Sequence, residues 1–205
     1  KTGYTFLLVE GGAMTTDRIN VLEGQLRECY GRVVYSHKTH EKCADILLER
    51  QGKIKLAQIV ISTFVTGGIV STFFGSGEAG AAISAVLSAG LLALNAYTKD
   101  YDLGEIAQKH RQAGAELWIV REKYLSLLTD IRTGDVSLES IRARRDALLN
   151  ELHAVYVGAP STNFKAYSRA QESLKKLEDM TFSDEEIDAF LPKELKRISK
   201  GGGNT

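Results

Sequence analysis

Two stretches without a single charge dominate the sequence: residues 56–75, "LAQIVISTFVTGGIVSTFFG", and residues 79–97, "AGAAISAVLSAGLLALNAY". Each holds about 20 residues, the length at which a helix crosses the ~30 Å hydrocarbon layer of a bilayer. The turn between them, "GSGE" at 75–78, contributes only Glu78. The competing reading is a soluble bundle whose central hairpin is fully apolar. A domain this small seldom builds two consecutive uncharged runs of spanning length. The flanks argue the same way: Arg50, Lys53 and Lys55 lead into the first run, and Lys99, Lys109 and Arg111 follow the second. By the positive-inside rule both termini are expected in the cytoplasm and the turn outside. The lipid bilayer is therefore the first expected partner, and the basic flanks suit anionic headgroups.

The rest of the composition narrows the classes. The 205 residues carry 26 basic and 26 acidic side chains, so the net charge is zero. Nucleic-acid binding, which rests on a one-signed basic surface, has no support and is not expected. The mean hydropathy of −0.14 conceals the uneven distribution of charge. Both prolines, Pro160 and Pro192, fall late in the chain, so long uninterrupted helices are permitted upstream. Cys29 and Cys43 share one predicted helix and stand roughly 20 Å apart at helical rise, too far for a bridge within the chain. Reduced thiols are expected.

Helical spacing accounts for most of what remains. Thr16 or Asp17 can cap a helix with Ile19, Leu22, Leu26, Tyr30, Val33, His37, Ala44, Leu47 and Leu48 on its apolar positions. A helix over about 102–132 places Leu103, Ile106, His110, Leu117, Val120, Tyr124, Leu127 and Ile131 on one side, and Gly134 stops it. Ser137 caps the next, with Ile141, Leu148, Leu152 and Val155 inward. A helix near 164–178 follows the loop "GAPSTN", and "SDEE" at 183–186 forms a capping box for a last short helix before Pro192. The fold class is all-α: a long N-terminal helix, a two-helix transmembrane hairpin and a C-terminal cytoplasmic helical region. The boundaries fall at 17–101 for the first helix and hairpin, 102–198 for the helical region and 199–205 for a flexible tail. Residues 1–16 form a leader without secretory-signal features, in which "FLLV" reads as a short strand or as unstructured chain.

Small and polar residues in the two spans are unevenly placed. At about 100° per residue, Ala81, Ala85, Ala89 and Ala93 form a smooth strip on the second span, with Ser84, Ser88 and Asn95 beside it. Ile83, Val86, Leu87, Leu91 and Leu94 occupy the far side, which suits lipid. In the first span Gln58, Ser62 and Thr66 recur every four residues, and Gly67 and Gly68 permit close crossing. Small residues repeated at this spacing let another helix approach closely where no hydrophobic drive brings helices together. The polar stripes have two readings: hydrogen bonds that hold the hairpin together, or the lining of a pore. Two helices enclose no water path, so a pore requires several copies, and a homo-oligomer is expected.

Candidate chemistry is sparse. "HKTHEKC" groups His37, His40, Glu41 and Cys43 without a complete zinc signature. His37 is read as a polar residue in a helix interface and His40 as solvated. "GSGEAG" follows no strand and is no phosphate cradle. "WIVREKY" (Trp118 to Tyr124) reads as a helix face packing on its neighbours or as a docking surface. No catalytic, cofactor or metal site is expected, and the chain reads as no enzyme.

Three segments carry a resemblance: "LWIVREKYLSLLTDI" (117–131), "IRARRDALLNELHAVYVGAPSTNFKAYSRA" (141–170) and "FSDEEIDAFLP" (182–192). With the layout of helix, two spans and C-terminal helices, the chain resembles the SLATT family over roughly 17–192. The matching positions are Arg121, Glu122 and Tyr124 of an RE-x-Y pattern, Arg145 and Asp146 of an RD-x-L pattern, and Pro160 and Thr162 of AP-x-T. The resemblance implies a bacterial inner-membrane protein found beside nucleotide-second-messenger synthases or reverse transcriptases in anti-phage systems. It implies a membrane-perforating effector that ends an infection by killing or arresting the host. A membrane-anchored scaffold that recruits such a synthase or reverse transcriptase is the alternative. The sequence shows no fused nucleotide-sensing domain, so any trigger is expected to act in trans or by direct contact with these helices.

Overall fold

A computed structural model of the chain describes residues 3–72, 77–176, 182–192 and 196. They form six helices: α1 (Gly3–Thr72), α2 (Gly77–Asp100), α3 (Leu103–Thr133), α4 (Leu138–Gly158), α5 (Phe164–Lys176) and α6 (Asp184–Phe190). Among the described residues there is no strand, so the chain is all-α. The first half of the "GSGE" turn (75–76), residues 199–205 and the expected end of the fifth helix at 177–178 lie outside the described residues.

The N-terminal part differs from the sequence reading. No helix starts at Thr16 or Asp17, because α1 is continuous from Gly3 and includes "FLLV". No proline interrupts it, and a helix already under way leaves no terminal N–H groups for a cap at 16 or 17. Seventy residues of helix span about 105 Å. One rod therefore runs from the charged half of the chain through the first apolar span.

The other helices are delimited as local chemistry dictates. Asp102 caps α3 by accepting from the backbone N–H groups of Gly104 (2.8 Å) and Glu105 (3.0 Å). Gly134 ends it with φ 81°, a left-handed conformation that glycine adopts without strain. Ser137 caps α4, and Ser183 and Glu186 form a reciprocal capping box on α6.

α3 packs antiparallel on the middle of α1, through pairs such as His37 with Gly114 and Asp45 with Arg111. α4 turns back along α3, joined by Arg144–Asp130 and Lys123–Glu151. The apolar core lies where these three meet: Leu22, Leu26 and Val33 of α1, Leu117 to Ile131 of α3, and Ile141, Leu148 and Val155 of α4. Every α3 position expected inward is buried except Ile106, which is half-buried. Burying a leucine here contributes about 1.5–3 kcal/mol. The core stops short of the spans, which leave the bundle as a hairpin.

Candidate functional site

α1 and α2 cross antiparallel, and their contact is built from small and polar residues. Gln58 donates to the Asn95 side-chain oxygen at 2.7 Å and more weakly to Thr98 at 3.4 Å. Ser84 is the one buried residue of α2, and its hydroxyl reaches the Val65 carbonyl at 3.4 Å. The tightest approach is at Gly68 and Gly80. A Cβ on Gly68 would fall on the Ser84 hydroxyl, and one on Gly80 would lie 2.8 Å from Ser71 Oγ and 3.3 Å from the Gly68 carbonyl oxygen. Gly67, one residue away, faces open space.

The stripes named from the sequence therefore divide. Gln58, Asn95 and Ser84 meet across the hairpin. Ser62 and Thr66 return their hydroxyls to the carbonyls of Gln58 (2.6 Å) and Ser62 (2.9 Å), four residues back on their own helix. Thr66 and Ser88 are exposed. Ala81, Ala85, Ala89 and Ala93 are all exposed, on the side of α2 turned away from α1. Leu87, Leu91 and Leu94, expected on the lipid side, are half-buried and share the α1-facing side with Ser84. Ile83 and Val86 are exposed as expected. The sequence reading missed Gly80 and Ser71, although Gly80 stands four residues before Ser84, the spacing that keeps two residues on one face.

Beneath the hairpin, the α1–α3 contact becomes a buried polar seam. His37 Nδ1 meets the Gly114 carbonyl at 2.8 Å. His40 is only 3% exposed, not solvated as the sequence reading had it. Its Nδ1 lies 3.0 Å from His110 Nδ1. One of the two nitrogens must carry the proton and the other accept it, so the accepting ring is neutral and the two cannot be protonated together without breaking this bond. Burial, reinforced by His110 and His37, holds the His40 pKa down at about 4, and burial lowers that of His110. Ala107, Ala113 and Gly114 keep this seam narrow. His40 was legible in principle. Leu26, Val33, His40 and Leu47 repeat every seven residues, with Tyr30, His37 and Ala44 between them, so His40 continues the buried stripe.

The positions that carried the family resemblance do not converge on one site. Tyr124 sits in the core at 2% exposure, and burial, with Cys29 and Tyr156 nearby, raises its phenol to about 12. Arg121 donates to Glu122 at 2.9 Å, and Arg145 donates to Asp146 at 2.9 Å, each pair adjacent on one helix. Pro160 and Thr162 border a cleft of about 790 Å³ whose other walls include Tyr35, Ser36, Tyr156 and Tyr167. Ser36 and Tyr156 share a 2.7 Å hydrogen bond there. Trp118 is half exposed. Among the described residues, no three His, Cys, Asp or Glu side chains are grouped to hold a metal ion.

Two helices are long and apolar enough to cross a membrane, and 0% and 6% of their most apolar windows is buried. The core helix of a soluble protein would be mostly buried. No curated protein and no solved structure matches the chain. A family model does match, over residues 22–186; it describes the SMODS and SLOG-associating 2TM effector domain, family 4. That span takes in the bundle, the hairpin and the loop bearing Pro160 and Thr162, so the chain belongs to this family of two-transmembrane effector domains.

Proposed function

We propose that the chain is a non-enzymatic effector of bacterial anti-phage defence that assembles in several copies in the inner membrane. The assembly forms a pore or disrupts the bilayer and so causes abortive infection. Both termini are cytoplasmic, and the signal arises from a neighbouring nucleotide-second-messenger synthase or reverse transcriptase. One observation carries the reading: the strip Ala81, Ala85, Ala89 and Ala93 is turned away from α1 and exposed. A smooth face left unused inside one hairpin suits close contact with the hairpin of another copy. Ser88 and Thr66 are exposed polar groups within the spans. In the assembly they line the water path, joined by Gln58, Ser62, Ser84 and Asn95 when the hairpin seam loosens.

A second reading, a membrane-anchored scaffold without conductance, is favoured by the Gln58–Asn95 bond. Polar groups already paired inside one hairpin need no pore to explain them. Bulky substitution separates the two. The double variant Ala85→Leu, Ala89→Leu should still enter the membrane fraction but lose toxicity in infected cells. Full toxicity with normal insertion would favour the scaffold.

A further inference from the structure

The chain leaves the membrane at a small polar notch whose walls include Gln58 and Thr98 of the hairpin contact and Asp102, the cap of α3. It lies where α1, the end of α2 and the start of α3 meet, and it encloses about 220 Å³. Its depth is fixed by the sequence: Lys55 is the last charge before the first span, and Lys99 is the first after the second. Aromatic groups mark the same level. Tyr97 and Tyr101 stack with centroids 5.1 Å apart, and Arg50 donates to the Tyr97 hydroxyl at 3.0 Å. Basic and aromatic side chains together are typical of the headgroup layer.

The notch holds two opposite charges that do not pair with each other. Lys55 has no carboxylate within ion-pair distance among the described residues, yet it lines the same notch as Asp102. Asp102 Oδ1 is occupied by the two backbone N–H groups it caps, while Oδ2 takes no hydrogen bond among the described residues. Gln51 forms part of the wall, pinned against Gly104, where a Cβ would lie 2.8 Å from its Nε2. Ile54 and Leu103 supply apolar wall, and Ile59, one turn on from Lys55, continues an exposed apolar surface along the span. A separated cation and anion at headgroup depth match a dipolar ligand better than a simple anion, which Asp102 would repel.

We infer that this notch binds a membrane phospholipid with a primary-amine headgroup. The phosphate lies on Lys55, the ammonium on Asp102, and the acyl chains run along Ile59. The inference rests on the membrane reading of the chain. A chain absent from the membrane fraction breaks that reading, whereas an embedded chain without lipid preference breaks the inference alone.

Native mass spectrometry of the full chain in detergent tests it, with phosphatidylethanolamine, phosphatidylcholine and phosphatidylglycerol of identical acyl chains added in equal amounts. The wild-type chain should retain the ethanolamine lipid about fivefold over either other lipid, the ratio that one hydrogen bond contributes, because choline has no N–H to offer Asp102 and glycerol carries no charge. Lys55→Gln, which removes the phosphate contact common to all three lipids, should lower the retention of each about fivefold, and Asp102→Asn should bring the ratio near one. Asparagine still caps a helix, so the second variant keeps α3 intact. Lys53→Gln, which alters an exposed pair with Glu49, should leave the ratio unchanged. Equal retention by the wild-type chain, preference for either other lipid, or a preference that survives Asp102→Asn would overturn the inference. So would equal displacement of the lipid by soluble phosphoethanolamine.

Discussion

At the residue scale, the most consequential side chains are histidines and glycines placed where a larger or charged group has no room. His40 binds its proton more weakly in the folded chain than in the unfolded one, at about 4 against the ordinary value of 6.5. Its contribution is therefore complete above pH 6.5 and declines as the pH falls from 6.5 toward 4. Over that window the unfolded chain takes up the proton first. Denaturant unfolding of the chain in detergent should show this acid loss, and His40→Asn should flatten it. Tyr124 offers a pH-independent comparison. Tyr124→Ala should cost about 3–5 kcal/mol by emptying the core, and Tyr124→Phe under about 1.5 kcal/mol, since only the hydroxyl is lost. The glycines predict a sharper contrast. Gly80→Val presses on the Gly68 carbonyl, a backbone group that cannot rotate aside, whereas Gly67→Ala meets nothing within 4 Å. The first should lower the melting temperature in detergent by several degrees, and the second should leave it within a degree or two, judged from typical core-overpacking and surface-substitution costs.

At the element scale, what could be read in advance was whatever a helix determines alone. The caps at Ser137 and Ser183 and the stop at Gly134 are local chemistry, and they stand where the sequence places them. The inward stripe of α3 follows from periodicity, because water on the opposite side forces the pattern. The rotation of α2 about its own axis did not follow. In lipid both sides of a helix are apolar, so hydropathy cannot say which side meets which partner. Ala85 looked like the packing side and is exposed, while Leu87 and Leu91 looked like the lipid side and are half-buried toward α1. The contact was set instead by Gly68, Gly80 and Ser84, where two backbones come closest. Nor could the sequence show that α1 is one rod into the span, since a possible cap at Thr16 or Asp17 does not end a helix already under way.

At the scale of the whole molecule, the chain divides by how its contacts are made rather than by domains. The end distant from the spans is held by an apolar core, the middle by a narrow polar seam at His37, His40 and His110, and the spans by two glycines and a few hydrogen bonds. Stability falls along this order, because buried apolar area contributes most and single hydrogen bonds little. Rearrangement in response to a signal is then expected to spread from the seam into the hairpin while the distal core stays folded. Hydrogen exchange should show the slowest amides in α3 around Leu117 to Leu127 and faster exchange around Ala107 to Gly114. The central claim, that the assembled hairpins breach the membrane, is tested most directly by membrane potential. In infected cells that carry the chain and its neighbouring synthase or reverse transcriptase, a potential-sensitive dye should report collapse before the cells die. It should report no collapse with the Ala85→Leu, Ala89→Leu chain. Cells that die with their potential intact would contradict the account.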